Sequence, residues 1–106
     1  MSQQRIIRMS IRYVAPMMEF RVKEIMNSVE WRIRSTPGLE RIETLVDRND
    51  PNRYLVVTEW SSRDHLNKWL ASDLCKKVVV DLNSVLDNRN VEYREFVKHK
   101  DEVFPP

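Results

Sequence analysis

Between Arg5 and Val14 the side chains alternate. Ile7, Met9, Ile11 and Tyr13 are apolar, and Arg8, Ser10 and Arg12 stand between them. A period of two is that of a strand with one face toward a core. The pattern therefore predicts a first strand with Met9 and Ile11 directed inward. The period then changes: Met18, Val22, Ile25, Val29 and Ile33 recur at steps of three and four, the stripe of an amphipathic helix. Pro16 suits the first turn of that helix, where its missing N–H costs nothing, and Pro37-Gly38 ends it. A strand followed by one amphipathic helix can bury both apolar faces only if later strands extend a sheet beneath that helix.

The remainder supplies those strands. Leu39–Val46 and Arg53–Trp60 read as two strands joined through the turn formers 47–52, Asp-Arg-Asn-Asp-Pro-Asn. Ser61 or Ser62 can cap a short helix carrying Leu66, Trp69 and Leu70, with Asp64 placed for a capping box. Ser72-Asp73 opens a further helix with Leu74, Val78, Leu82 and Leu86 on one side, which Asp87-Asn88-Arg89-Asn90 breaks. Val91, Tyr93, Glu95 and Val97 then alternate with Glu92, Arg94 and Phe96 as a last strand. The order β-α-β-β-α-α-β specifies a ferredoxin-like α+β fold of the split βαβ type. It has a four-stranded antiparallel sheet with helices on one face. A chain of 106 residues is the size of one domain, with a core over about 5–98 and a charged tail over 99–106.

Several function classes are excluded at this level. The net charge of +2, with Lys and Arg interleaved among Asp and Glu, does not suit a nucleic-acid partner. Gly38 is the only glycine, so no phosphate-cradling loop or dinucleotide fingerprint exists and no cofactor is expected. Two histidines, His65 and His99, lie far apart without the spacing of a metal site. Cys75, alone, forms no internal disulfide and is expected to be buried and inert in a reducing cytoplasm. The stretch Met1–Arg5 lacks the apolar core of a signal peptide, and no apolar run reaches membrane-spanning length, so no membrane association is expected.

The second face of the sheet is expected to carry Arg8, Arg12, Glu59, Glu92 and Arg94 together with Leu55, Val57 and Phe96. Apolar residues in that company predict a homodimer that pairs sheet against sheet, with the arginines in ion pairs to Glu59 or Glu92. Phe20 and Trp31 stand opposite the core stripe of the first helix and suggest a partner surface. Trp60 reads as a packing anchor and His65 as solvated. Trp69 divides evenly between a core position and a pocket wall.

Three stretches carry a family resemblance: Pro37-Gly38-Leu39; Asp50 through Ser62, read Asp-Pro-Asn-Arg-Tyr-Leu-Val-Val-Thr-Glu-Trp-Ser-Ser; and Leu66-Asn67-Lys68-Trp69-Leu70-Ala71-Ser72. Together they resemble the antibiotic biosynthesis monooxygenase (ABM) domain, whose fold is a dimeric α/β barrel. The resemblance implies a cofactor-independent monooxygenase acting on a small aromatic or quinol-type molecule. Met9, Ile11, Trp69 and Val79 would then wall the substrate site, Tyr13, Tyr54, His65 and Cys75 would be the nearby polar candidates, and no catalytic residue is assigned. Members of that family also include haem-degrading enzymes and proteins without known chemistry, so a haem-binding relative and a non-catalytic dimeric binding or stress protein are the alternatives. In the haem-degrading branch a His follows the helix Trp by ten residues; here Trp69 is followed at that distance by Val79. The Asn of its first strand is matched by neither Met9 nor Ser10.

Overall fold

The computed structural model describes residues 4–101; the last five residues of the expected tail, 102–106, and the first three of the chain lie outside the described residues. The elements are β1 (Ile6–Val14), α1 (Val22–Ile33), β2 (Leu39–Asp47), β3 (Asp50–Trp60), α2 (Arg63–Ala71), α3 (Asp73–Asn83), β4 (Leu86–Val97) and a short 3-10 turn (His99–Asp101). The four strands form one antiparallel sheet in the order β2-β3-β1-β4, the ferredoxin-like arrangement expected.

Several boundaries differ from the sequence reading. Helix α1 begins at Val22 rather than near Pro16, because Met17 takes a left-handed backbone (φ 67°) that interrupts any continuous right-handed turn. Strands β2 and β3 meet through two residues only, Arg48 and Asn49, with Asp47 opposite Asp50. The Asp47 carboxylate accepts from the Asn49 N–H at 2.8 Å and from Arg53 at 2.8 Å, which closes the turn and lets Asp50–Asn52 join the strand. Leu86 belongs to β4, opposite Val14, and not to α3. The segment 87–90 does not leave the sheet: Ile11 faces Glu92 but Tyr13 faces Asp87, so the extra residues are taken up as a bulge.

The largest difference concerns β1. Residues opposite one another in adjacent strands share a face, and Ile6 faces Trp60. Both pack with Val29 and Ile33 of α1, Leu66 and Trp69 of α2, and Cys75 and Val78 of α3. Val14, of the same parity as Ile6, packs on a second cluster formed by Val22, Met26, Tyr54, Val85 and Leu86. Arg8, Ser10 and Arg12 therefore face the helices, and Met9 and Ile11 lie on the opposite face with their partners Val57 and Leu55. The richer apolar row of β1 was expected inside. The phase is set instead by Trp60 of β3, which turns its partner Ile6 inward, and Val14 at the other end of β1 packs on the second cluster in the same phase.

Ser62 caps α2, its Oγ accepting from the His65 N–H at 3.3 Å, and Ser72 caps α3, accepting from the Cys75 N–H at 3.1 Å. Ser72 also donates to the Trp69 carbonyl at 2.6 Å, so one hydroxyl ends α2 and starts α3. Trp31 is exposed with Arg34 stacked 4.3 Å from its ring, and Phe20 is exposed just ahead of α1. No helix among the described residues is long and apolar enough to cross a membrane.

Gly38 links α1 to β2 with φ 84°, and a Cβ there would lie 2.2 Å from Cγ of the His65 ring. Gly38→Ala should thus cost more than the ~1–2 kcal/mol of a left-handed alanine alone. In urea titrations, part of that loss should return in the double variant Gly38→Ala/His65→Ala, where the ring clash is removed and the backbone strain is not. Equal losses in the single and double variants would contradict this packing.

Candidate functional site

The two apolar clusters do not merge under the helices. Ile25 and Leu82 pack against both, and between them a cavity of about 110 Å³ remains. Its floor is the even row of β1, Arg8, Ser10 and Arg12, with Val56 and Thr58 of β3 and Tyr93 of β4. Its roof is Val29 and Ile33 of α1, Trp69 and Leu70 of α2, and Cys75, Val78, Val79 and Leu82 of α3. A polar, cationic floor thus meets an apolar roof.

The floor is held in place by identifiable contacts. The Trp60 indole N–H donates to Thr58 Oγ1 at 2.9 Å, so the Thr58 hydroxyl is already engaged. Arg8 lies 4.5 Å from the centre of the Tyr93 ring, a cation–π geometry, and touches Glu95 at 3.4 Å. The Glu95 carboxylate is held from its other side by Arg63, at 3.1 Å to Oε1 and 2.5 Å to Oε2. Arg12 is 5% exposed, donates to Asn83 Oδ1 at 2.6 Å, and has no partner for its buried Nε. Burial lowers the pKa of the Arg12 guanidinium, against the pull of Tyr93 and Asp87, yet a guanidinium does not lose its proton in a folded protein. Burial raises the pKa of the Cys75 thiol, with Arg8 opposing, so it is protonated at neutral pH and no nucleophile.

Trp69 is the partition between this cavity and a second hollow. It is 9% exposed and stacks on Trp60 with ring centres 6.0 Å apart. On its far side an open hollow of about 400 Å³ lies between the end of α1 and the α2–α3 corner, lined by Arg32, Thr36, Pro37, His65, Lys68 and Leu74 among others. The outer hollow is larger, but the polar groups of three strands converge on the inner cavity, which makes it the candidate site. His65, expected in solvent, is half-buried there, its Nδ1 2.8 Å from Ser62 Oγ and 3.1 Å from Ser61 Oγ.

Of the four residues expected to wall a substrate site, Trp69 and Val79 line the inner cavity, while Met9 and Ile11 are separated from it by the sheet. Tyr54 is buried in the second cluster, and His65 borders the outer hollow. The ion pairs expected between the β1 arginines and Glu59 or Glu92 are absent from the described contacts: Arg8 meets Glu95 and Arg12 meets Asn83. Glu59, on the opposite face, pairs with Arg41 at 3.6 Å and Lys98 at 3.1 Å. Thr58 and Tyr93 are not singled out by the sequence, and Ser10 enters there only beside Met9 on the first strand; their shared parity with Trp60 and Ile6 across paired strands is the available signal. Among the described residues no three His, Cys, Asp or Glu side chains gather as a metal site would require.

A four-stranded antiparallel sheet with helices on its one face defines the ferredoxin-like α+β fold, and the inner cavity lies between those two layers. The chain belongs to the antibiotic biosynthesis monooxygenase family, whose model matches residues 17–80. Among solved structures it resembles SnoaB, a cofactor-independent oxygenase from Streptomyces nogalater, at 17% identity over 97% of this chain and 99% of that one, with a TM-score of 0.75. A conserved protein from Methanosarcina mazei is similar at 17% identity over 90% and 93% of the two chains, with a TM-score of 0.78. PA3566 from Pseudomonas aeruginosa is similar at 12% identity over 92% and 97%, with a TM-score of 0.76. Among curated proteins none matches.

The Arg63–Glu95 contact that flanks the floor predicts a pH dependence. The Arg63 hydrogen bond holds the Glu95 carboxyl below its usual range, so its contribution is present above that range and is lost as pH falls through the folded value. Both side chains are partly exposed, so Arg63→Gln should cost less than about 1 kcal/mol at pH 7. In urea titrations the gap between wild type and variant should close as pH falls below the ordinary carboxylate range. A gap that persists unchanged in acid would contradict the pairing.

Proposed function

We propose that this chain is a cofactor-independent monooxygenase of a small aromatic, quinol-type substrate, bound in the cavity between sheet and helices. The observation that carries the reading is the pairing of an apolar roof with a cationic floor in a member of this family. A quinol ring would lie against Trp69, Val78 and Leu82, with an oxygen directed at the floor. No carboxylate or imidazole lines the cavity among the described residues, so the help available for deprotonation is electrostatic. Two guanidiniums in a poorly solvated site stabilise the quinolate over the quinol and let its proton leave to water. The ring anion then reduces dioxygen directly. One oxygen atom enters the ring in place of a C–H as a hydroxyl, and the other leaves as water with the two hydrogens of the quinol, so the product is a hydroxyquinone and no outside reductant is needed. A tetrapyrrole is far larger than this cavity, and Val79, which lines it, offers no ligand atom to an iron.

We also propose a homodimer through the opposite sheet face, where Ile7, Met9 and Ile11 of β1 stand across from Glu59, Val57 and Leu55 of β3. Ile11 and Val57 are already buried within the chain, Ile7, Met9 and Leu55 are half-buried, and Glu59 is satisfied by Arg41 and Lys98, so pairing this face would cover the half-buried residues without stranding a charge. Phe96 and Leu45, exposed on the flanking strands, extend the row.

The test is oxygen uptake with hydroquinone under labelled dioxygen. The wild type should consume one dioxygen per quinol and place one labelled atom in the product. Val79→Trp, at a half-exposed position that tolerates bulk, should fill the cavity and lower turnover at least tenfold while the fold is retained by circular dichroism. Sedimentation at micromolar concentration should give twice the monomer mass. A folded dimer with no uptake above the uncatalysed rate, and no response to Val79→Trp, would favour a non-catalytic binding protein.

A further inference from the structure

We infer that the cavity takes a single-ring aromatic carboxylate, its carboxylate on the guanidiniums of Arg12 and Arg8 and its ring under Trp69, Val78 and Leu82. This rests on the oxygenase reading of the same cavity and names its substrate class.

Charge is the first reason. The lining contains two guanidiniums and no carboxylate among the described residues. Arg12 is 5% exposed, its one described hydrogen bond goes to the neutral amide of Asn83, and its Nε has no partner. Tyr93 and Asp87 are the ionisable neighbours that favour its charge. Glu95 is gripped by two nitrogens of Arg63 and reaches Arg8 only at 3.4 Å. A buried cation with an unpartnered N–H is unfavourable by itself. A ligand carboxylate answers that deficit, and its two coplanar oxygens match the fork of a guanidinium in a way that one quinol oxygen does not.

Size is the second reason. Small-molecule pockets for drug-sized ligands run from about 300 Å³ upward, and a closed apolar cavity of about 150 Å³ accepts benzene. A cavity of about 110 Å³ that opens toward solvent leaves room for at most one ring, whose substituents would reach the opening, and a fused three-ring compound exceeds it.

Shape completes the case. The cations lie on the sheet side and the apolar groups on the helix side, so the ligand must be charged at one end and flat and apolar at the other. A benzoate ring bearing quinol hydroxyls satisfies both ends and still offers an oxidisable ring.

The experiment is an anaerobic titration, followed by calorimetry, of 2,5-dihydroxybenzoate, hydroquinone and 9-anthracenecarboxylate with the wild type, Arg12→Met, Arg12→Lys and Arg8→Met. The wild type should bind 2,5-dihydroxybenzoate at least tenfold more tightly than hydroquinone and should bind the three-ring acid at least tenfold more weakly. Arg12→Met should reduce the preference for the acid to threefold or less with little change for hydroquinone, and Arg12→Lys should fall between. If Arg12→Met does not fold, Arg8→Met and Arg12→Lys carry the same comparison. Equal affinity for the acid and hydroquinone, a preference unchanged in every folded arginine variant, or equal binding of the three-ring acid would overturn the inference. Hydroquinone bound and oxidised with the acid rejected would do so while leaving the oxygenase reading intact. The acid bound through the arginines, yet never oxidised in air, would support the inference and remove the oxygenase reading.

Discussion

Trp60 sets the phase of the sheet, and the rest of the structure depends on that phase. It ends β3, is fully buried, and stacks on Trp69 of α2. Its indole N–H is satisfied by Thr58 two residues earlier on the same strand, so the ring lies inside without a stranded donor. Removing about 200 Å² of such a ring from water is worth about 5 kcal/mol, more than any other single side chain here can set against it. With Trp60 turned to the helices, Thr58, Val56 and Tyr54 must turn there too. Their partners across β1, Arg8, Ser10 and Arg12, follow.

Three polar residues on the inner face of a central strand prevent a continuous core. Apolar clusters form around the two ends of β1 instead, one on Ile6 and Trp60 and one against Val14. Ile25 and Leu82 span the gap, and the cavity is what the guanidiniums leave between them. Burying Arg12 with one unpartnered N–H costs stability on the order of 1–3 kcal/mol. The position is consistent with a site whose ligand completes the hydrogen bonding, as functional sites commonly depart from what stability alone would select.

The order and kind of the elements were legible because periodicity and caps are local signals. The α1 stripe, a cap at Ser61 or Ser62 and another at Ser72, the Pro37-Gly38 stop and a hairpin within 47–52 are each read within a few residues. The faces on which the candidate residues lie were half legible. Trp69 and Val79 sit on helices, where a face is fixed by spacing to many neighbours. Met9 and Ile11 were misplaced because a strand has only two faces, and a choice based on which row is more apolar fails when both are covered. Ile11 and Val57 are in fact buried on the outer face, so hydrophobicity did not distinguish the two sides. The deciding residues, Ile6 and Val14 at the strand ends and Trp60 on the neighbouring strand, carry their information through pairing register. That is a non-local property. The irregularity at 87–90 was hidden for a related reason: Asp and Asn favour turns locally, but Leu86 and Asp87 pair with β1 and so begin β4 ahead of it.

The most direct measurement is the set of nuclear Overhauser contacts between the ring protons of a bound aromatic ligand and assigned side chains, with 2,5-dihydroxybenzoate as the ligand. Contacts to Trp69 and to the methyl groups of Val78 and Val79 are expected, with none to Met9 or Ile11. Contacts to the methyl groups of Met9 and Ile11 instead would place the ligand on the other face of the sheet and contradict the phase on which the cavity, its arginines and the proposed chemistry all depend.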